Sequence, residues 1–172
     1  RASQKGRDRV IPIRGSDFAK ALGVETTSEI VGATLTGATL DSRVAREGFV
    51  FFARKGEKDD GRKYVPQALK NGAALVVAER GAEAGPKTMI VDDPLAALRV
   101  LAGLVRAAFK GRVIAVAGSV GKTTTKDLLA SLLAARRRVV ASEKSFNNDV
   151  GVPLTLCRVD SETEIVVVEA GS

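Results

Sequence analysis

The sequence predicts an α/β fold in which helices alternate with the strands of parallel sheets. Three observations indicate this class: apolar runs typical of buried strands, amphipathic segments between them, and a glycine-flanked turn, GSVG, between a strand and a helix. Strands separated by helices favour parallel pairing with right-handed crossovers. We expect two units: a small α/β unit over residues 10–92, and the start of a parallel-sheet unit over residues 93–172.

The first predicted unit begins with SDFAKALG (16–23), where a Ser N-cap and a terminal Gly predict a short helix. A β-rich stretch follows over residues 29–43, and then the run GFVFFA predicts a strand buried on both faces. Residues 59–80 predict a helix, with Pro66 in its first turn, followed by a strand. The segment KTMIVDD predicts a further strand.

The second predicted unit begins with an amphipathic helix over residues 93–111, which bridges it to the first unit. We expect a strand at 113–117, a helix from about Lys122, a strand near 138–141, then a loop, a short helix, and a strand at 164–168. The helix after Lys122 is expected to turn one leucine stripe toward the core, formed by Leu128, Leu129, Leu132 and Leu133.

Composition restricts the chemistry that this chain can perform. The 172 residues include no histidine, which excludes imidazole catalysis and His-based zinc sites. The one cysteine, Cys157, follows an apolar run and is interpreted as a buried thiol rather than a nucleophile. No apolar run approaches the ~18 residues of a membrane span, so we expect no membrane segment and a cytoplasmic location.

The net charge of +7 favours anionic partners. We nevertheless expect no nucleic-acid partner, because the basic residues are dispersed and the aromatic residues are few. The run Arg136–Arg138 is interpreted as a solvated helix end. The chain begins without Met and stops at Ser172 directly after a strand-like segment, so we expect a fragment of a longer protein.

The segment VIAVAGSVGKTTTKD predicts a phosphate-binding loop. A strand, a glycine turn and a helix N-terminus would present main-chain amides to an anion, with Lys122 as the cation. The strict pattern G-x-x-x-x-G-K-[ST] requires glycine where Val116 stands, but Gly118 follows two residues later and would give a tighter loop. The alternative is a glycine-rich turn with a chance lysine.

A phosphate-binding loop also needs acceptors for a metal ion. The hydroxyl of Thr123 can bind Mg²⁺, and Glu169 ends the apolar run of EIVVVE, where it can hold the same ion from a second strand. The alternative reading of Glu169 is an ordinary glutamate at the end of a strand.

Four motifs resemble the Mur ligases, the ATP-dependent amide-forming enzymes of peptidoglycan precursor synthesis. They are AGSVGKTTTKD, SFNNDVGVPLTL, VVVEAGS, and LDSRVAREGFVFFARKGEKDDGRKYVPQAL. The resemblance runs from about residue 15 to the end. It implies a UDP-substrate-binding domain followed by a truncated P-loop ATP-binding domain. It also implies transfer of D-alanyl-D-alanine to UDP-N-acetylmuramoyl-tripeptide through an acyl phosphate, with ATP and Mg²⁺ as cofactors.

The resemblance implies a role for each matched residue. Lys122 would be the catalytic charge clamp, and Thr123 and Glu169 would hold Mg²⁺. The residues wrapping the ATP phosphates would be Gly118, Ser119, Val120, Gly121, Lys122, Thr123 and Thr124. The cleft beside nucleotide and substrate would contain Asn147 and Asn148, and the UDP end would contact Ser42, Arg43, Lys55 and Gly56. Read without the family, the Asn pair could equally be a plain turn, and the DSR segment is interpreted as an exposed turn. The family often has a histidine where Arg62 stands.

Three alternatives remain open on the sequence. The first is the amino-acid-adding Mur ligase that acts one step earlier, and the second is a generic P-loop ATPase or GTPase. The third is a binding module that holds the UDP-linked substrate without turnover. We expect a monomer, and we expect the isolated chain to be inactive, with a poorly soluble or molten second unit, because its sheet would have an exposed edge.

Overall fold

The computed structural model describes residues 11–56, 59–143 and 149–171. The predicted α/β class is confirmed, and the chain forms two compact units. The first unit comprises Pro12–Leu104 and the second extends from Val105, so the division falls inside the long helix α4, Pro94–Ala108. The assignment of a UDP-substrate domain to 10–92 and an ATP domain to 93–172 stays a prediction.

The first unit is built on a parallel sheet with the strand order β3-β4-β5-β6. Its strands are β3 (Gly37–Thr39), β4 (Phe49–Ala53), β5 (Leu75–Glu79) and β6 (Thr88–Val91). A short antiparallel pair joins β1 (Ile13–Arg14) to β2 (Thr34–Leu35). The helices are α1 (Gly15–Leu22), α2 (Ser28–Gly32) and α3 (Val65–Lys70), with 3-10 turns at Ser42–Val44 and Gly61–Tyr64.

The core of the first unit lies on both faces of β4. Phe51 and Phe52 point to opposite faces, and each is 1% exposed, which confirms the strand predicted from GFVFFA. Phe51 belongs to a cluster with Ala68 of α3, and Phe52 meets Phe18 of α1 edge-on, with ring centroids 6.5 Å apart. Helices on both faces of a parallel sheet therefore leave its strand ends free to form a site.

The start of this unit differs from the sequence prediction in two respects. Residues 28–32 form α2 rather than strand, because the Thr27 hydroxyl caps the helix by accepting from the Ile30 amide at 3.2 Å. Helix α1 begins at Gly15 with Arg14 as its N-cap, not Ser16. A Cβ on Gly15 would lie 2.0 Å from the Ile30 carbonyl oxygen, so glycine permits this close approach of α1 and α2.

The second unit contains a parallel sheet with the strand order β7-β9-β8. Its strands are β7 (Arg112–Val116), β8 (Val139–Ala141) and β9 (Ile165–Glu169), and its helices are α5 (Lys122–Ala134) and α6 (Gly151–Leu156). The predicted alternation of strands and helices is therefore confirmed. Strand β9 lies in the centre, with Val166 and Val167 fully buried.

The leucine stripe predicted for α5 is wrong for two of its four members. Leu128 is 61% exposed and Leu132 is 75% exposed, whereas Leu129 and Leu133 are half-buried. The inward face instead follows Lys126, Leu129 and Leu133 at helical spacing, with Lys126 buried. Leu128 and Leu132 lie beside that face and point away from it.

Helix α4, the longest in the described residues, has 15 residues. A bilayer-spanning helix needs about 20 predominantly apolar residues. None of the helices among the described residues meets that requirement.

Candidate nucleotide and substrate sites

A loop of residues 117–121, called the glycine loop, joins the carboxyl end of β7 to the first turn of α5. Gly118 has φ +151° and Gly121 has φ +78°, which are backbone conformations that favour glycine. Gly121 is the N-cap of α5, so the helix begins directly after the loop. The first amides of a helix have no carbonyl partner within it, and they carry a partial positive charge. An exposed turn of this kind is suited to an anion.

Val116, which breaks the strict P-loop pattern, is the last residue of β7 and pairs with Glu169 of β9. The position needs no glycine because the chain is still in the strand there. The loop therefore begins later and contains fewer residues than the strict pattern requires. Ser119 and Val120 lie at its exposed tip, where Val120 is 91% exposed, and Thr124 is exposed in the first turn of α5.

Lys122 is the first residue of α5, and its side chain folds back across the loop. Its Nζ donates a 2.7 Å hydrogen bond to the Gly118 carbonyl oxygen. A Cβ on Gly171 would lie 3.0 Å from Lys122 Cε, so the chain after β9 passes close to the lysine stem. The ammonium group is thus held against the glycine loop.

Thr123 and Glu169 meet at the same end of the sheet. The Thr123 hydroxyl donates a 2.8 Å hydrogen bond to Glu169 Oε2, and Glu169 is only 2% exposed. A hydroxyl and a carboxylate are hard oxygen ligands, and Mg²⁺ uses one or two carboxylates together with phosphate oxygens and water. The donor set of this pair therefore fits a magnesium ion.

Lys126 and Ser142 were not identified from the sequence. Lys126 is 1% exposed, and its Nζ lies 2.6 Å from the Ser142 carbonyl oxygen and 2.8 Å from Asp127 Oδ1. Ser142 is 2% exposed, and its hydroxyl accepts a 3.3 Å hydrogen bond from the Glu169 amide. Because Lys126 follows Thr123 by three residues, the sequence could have indicated that both lie on one face of a helix. It did not indicate that Lys126 is buried, because lysine is almost never fully buried unless it is paired.

Asn147 and Asn148 lie outside the described residues, so their predicted place in the cleft stays a prediction. Cys157, close in sequence, is 4% exposed, and the prediction of a buried thiol is confirmed. Burial raises the pKa of the Cys157 thiol to about 12. The thiol therefore stays protonated near neutral pH and is a poor nucleophile.

The four residues predicted for the UDP end lie at one edge of the first sheet. Ser42 and Arg43 follow the carboxyl end of β3, and Lys55 and Gly56 follow that of β4. Strands β3 and β4 are parallel neighbours, so both loops leave the sheet at the same edge. Ligands of parallel α/β sheets bind outside the carboxyl ends of the strands.

Ser42 and Arg43 differ in their availability to a ligand. The Ser42 hydroxyl donates a 2.9 Å hydrogen bond to Gln67 Oε1, and the residue is 5% exposed. The Arg43 side chain is 79% exposed and pairs with Asp41 at 2.6 Å. Hydrogen bonds from Arg43 lower the pKa of the Asp41 carboxyl below its usual value. Of Ser42 and Arg43, Arg43 is therefore the residue that is accessible to a ligand, and it carries a positive charge.

Arg62, at the position where a histidine was expected from the family, forms an ion pair with Asp60. Its Nη2 lies 2.7 Å from Asp60 Oδ2, and both side chains are about three-quarters buried. The hydrogen bonds from Arg62 lower the pKa of Asp60 to about 2. Asp60 also pairs through its backbone with Lys55 in an isolated antiparallel bridge. The ion pair therefore anchors the loop that carries Lys55 and Gly56.

Two family models match the chain. The model of the Mur ligase family, catalytic domain, matches residues 34–137, and that of the Mur ligase middle domain matches residues 116–172.

Among curated proteins, the UDP-N-acetylmuramoyl-tripeptide–D-alanyl-D-alanine ligase of Bacillus subtilis is 37% identical over 161 residues, which cover 86% of this chain and 35% of the relative. The protein of the same name from Escherichia coli is 36% identical over 146 residues, which cover 84% and 32%. The chain thus spans about a third of the length of these curated relatives.

Solved structures give the same grouping. A crystal structure of MurF from Acinetobacter baumannii has a TM-score of 0.78 and 28% identity, and the match covers 95% of this chain and 36% of that one. The MurF ligase of Thermotoga maritima, solved in complex with ADP, has a TM-score of 0.66 and 36% identity, covering 77% and 31%.

Proposed function

This chain belongs to the Mur ligase family, and from that premise we propose that its protein joins D-alanyl-D-alanine to UDP-N-acetylmuramoyl-tripeptide at the expense of ATP. The curated relatives from Bacillus subtilis and Escherichia coli carry the name of that activity. The observation that carries the proposal is the grouping of Lys122, Thr123 and Glu169 around one glycine loop.

In this proposal, the glycine loop and the first turn of α5 bind the triphosphate of ATP. The amides between Gly118 and Thr124 would contact the phosphate oxygens, and Lys122 would exchange its bond with the Gly118 carbonyl for one with phosphate. Thr123 and Glu169 would hold Mg²⁺. When bound, the ion would neutralise negative charge on the phosphate oxygens.

The proposed reaction has two steps. A carboxylate oxygen of the tripeptide attacks the γ-phosphorus, the bond to the β-phosphate oxygen breaks, and ADP leaves. The amine of D-alanyl-D-alanine then attacks the acyl carbon, loses a proton, and displaces inorganic phosphate as the amide forms. The lysine ammonium stabilises charge on the transferred phosphoryl group, and binding brings the two anions together. Asn147 and Asn148 are proposed to lie beside the nucleotide and substrate.

The first unit is proposed to bind the UDP portion of the substrate. Arg43 and Lys55 supply cations at the carboxyl edge of β3 and β4, where they can neutralise a pyrophosphate. Ser42 would contribute by holding the turn that presents Arg43, because its hydroxyl already bonds Gln67. Gly56 would allow close approach of the neighbouring loop. Since the reaction consumes ATP, the proposal includes a cytoplasmic location.

The proposal is tested by assaying the intact gene product with ATP, Mg²⁺ and UDP-N-acetylmuramoyl-tripeptide, with and without D-alanyl-D-alanine. We expect phosphate release and a ligated product of matching amount only when the dipeptide is present. A parallel assay supplies the UDP-linked dipeptide and free amino acids, and ligation there in place of the first reaction would identify the enzyme one step earlier. ATP hydrolysis that needs neither substrate would identify a generic P-loop ATPase, and tight binding of the UDP-linked substrate without turnover would identify a binding module.

A further inference from the structure

We infer that Lys126 and Ser142 are positioning residues for Glu169, an inference that rests on the magnesium role proposed above. The three residues form a ring of hydrogen bonds with Thr123. Thr123 donates to the Glu169 carboxylate at 2.8 Å, the Glu169 amide donates to the Ser142 hydroxyl at 3.3 Å, and Lys126 donates to the Ser142 carbonyl at 2.6 Å. Helix α5 closes the ring, because Thr123 and Lys126 are one turn apart on it.

The ring joins α5 to the ends of two neighbouring strands. Ser142 follows β8, and its amide donates a 3.0 Å hydrogen bond to the Val167 carbonyl of β9. Its hydroxyl then reaches the amide of Glu169, two residues further along β9. Ser142 therefore fixes the backbone from which the Glu169 carboxylate projects, and Lys126 fixes Ser142 from the helix.

The burial of the ring makes its polar groups dependent on one another. Lys126, Ser142 and Glu169 are each 2% exposed or less. Loss of one partner from a buried ionic or hydrogen-bonded pair leaves the other without compensation for its lost hydration. Lys126 also has a partner outside the ring, because its Nζ lies 2.8 Å from Asp127 Oδ1.

The position of Glu169 matters because of the cation that it is proposed to bind. Magnesium requires near-ideal octahedral geometry with ligand distances of about 2.0–2.1 Å. A displaced carboxylate would weaken the ion's contribution to nucleotide binding and leave the amides of the glycine loop in place. The ratio of ATP affinities with and without Mg²⁺ therefore reports on Glu169 separately from the loop.

The test measures ATP affinity by calorimetry on the intact gene product, once with saturating Mg²⁺ and once with EDTA. The gain from Mg²⁺ is the factor by which saturating Mg²⁺ raises the affinity for ATP. We expect Ser142→Ala and Lys126→Met to reduce this gain about tenfold, as mutation of the outer partners of metal ligands typically does. The affinity in EDTA should stay near that of the wild type. Ser142→Thr, which keeps the hydroxyl, should restore the gain, and Arg136→Met, in the exposed turn that follows the same helix, is the control.

The outcomes separate this inference from the proposed function. If Glu169→Gln abolishes the gain and Ser142→Ala leaves it intact, the positioning role is overturned and the function stands. Equal losses with and without Mg²⁺ would show a merely structural role and also overturn it. If Lys126→Met fails to melt cooperatively, Ser142→Ala decides, because it keeps the carbonyl that Lys126 contacts. A wild type that binds no ATP would overturn both proposals.

Discussion

The hydroxyl of Thr123 donates a 2.8 Å hydrogen bond to the carboxylate of Glu169, a residue 46 positions later in the chain. Thr123 lies in the first turn of α5, and Glu169 ends β9, which pairs with β7 directly below the glycine loop. The fold thus brings two side-chain oxygen groups from distant segments to the place where Lys122 lies over the loop. This grouping is the basis of the nucleotide proposal.

Replacing Lys122 with alanine should lower the rate of ligation by about 100-fold or more, since the transferred phosphoryl group would lose its nearest cation. Phosphate release by the intact gene product, measured at saturating substrates, checks this. Lys110→Ala is the matched control, because Lys110 is an exposed lysine outside the loop and should leave the rate unchanged. Turnover near the wild-type rate in Lys122→Ala would contradict the role of this residue.

Gly121→Ala should destabilise the protein by about 1–2 kcal/mol, because alanine is strained at φ +78°. Gly103→Ala is the matched comparison. A Cβ added at either position meets no atom within 4 Å, but Gly103 lies inside α4 with ordinary helical geometry. It should therefore stabilise by about 0.5–1 kcal/mol. Urea denaturation measures both, and shifts of the same sign would contradict the loop conformation.

Arg43→Ala should weaken binding of the UDP-linked substrate about tenfold or more, through loss of a charge-assisted contact, and should leave the melting temperature unchanged. Its ion pair with Asp41 is largely exposed and therefore adds little stability. Ser42→Ala should instead lower the free energy of unfolding by about 0.5–1.5 kcal/mol, because the buried Ser42 hydroxyl no longer bonds the exposed Gln67 side chain. Calorimetric titration and urea denaturation separate the two effects. Unchanged substrate affinity in Arg43→Ala would remove this residue from the site.

Stability should depend on pH through the Asp60–Arg62 ion pair. Hydrogen bonds from Arg62 hold the pKa of Asp60 at about 2 in the folded chain, below its ordinary 3.8. Because the folded value is the lower one, the stabilisation is present above about pH 4 and is lost as the pH falls toward 2. Asp60→Asn keeps the oxygen that accepts from the Arg62 amide but removes the charge.

The measurement for this pair is the difference in melting temperature between wild type and Asp60→Asn at pH values from 2 to 6. The difference should be full at pH 6 and shrink across the window from about 4 to 2. Glu83→Gln, which alters an exposed carboxylate away from the ion pair, serves as control. A difference for Asp60→Asn that is constant over this range would contradict the assigned electrostatic origin.

The order of strands and helices could be predicted because it depends on local patterns. The apolar run of β4 and the glycine-flanked turn before α5 each appear within a few consecutive residues. The fold class and the family follow from such segments. The strand order β7-β9-β8 has no local pattern in the sequence, although it determines that Glu169 lies beside the loop.

The errors arose where tertiary contacts outweighed residue type. Leu128 and Leu132 are apolar but exposed, while Lys126 is charged but buried, because Lys126 reaches the Ser142 carbonyl at the end of β8. That partner lies 16 residues away in sequence, and no helical periodicity indicates it. The hydrogen bond between the Ser42 hydroxyl and Gln67 likewise joins residues 25 positions apart, and no local pattern indicates it. The place of Ser42 at the UDP end stays a prediction.

The most direct test is a crystal structure of the intact gene product with Mg²⁺ and a non-hydrolysable ATP analogue. We predict that the triphosphate oxygens accept hydrogen bonds from amides between Gly118 and Thr124, and that Lys122 Nζ moves from the Gly118 carbonyl to phosphate. Mg²⁺ should contact Thr123 and Glu169. A triphosphate bound elsewhere, or one that touches neither these amides nor Lys122, would contradict the account.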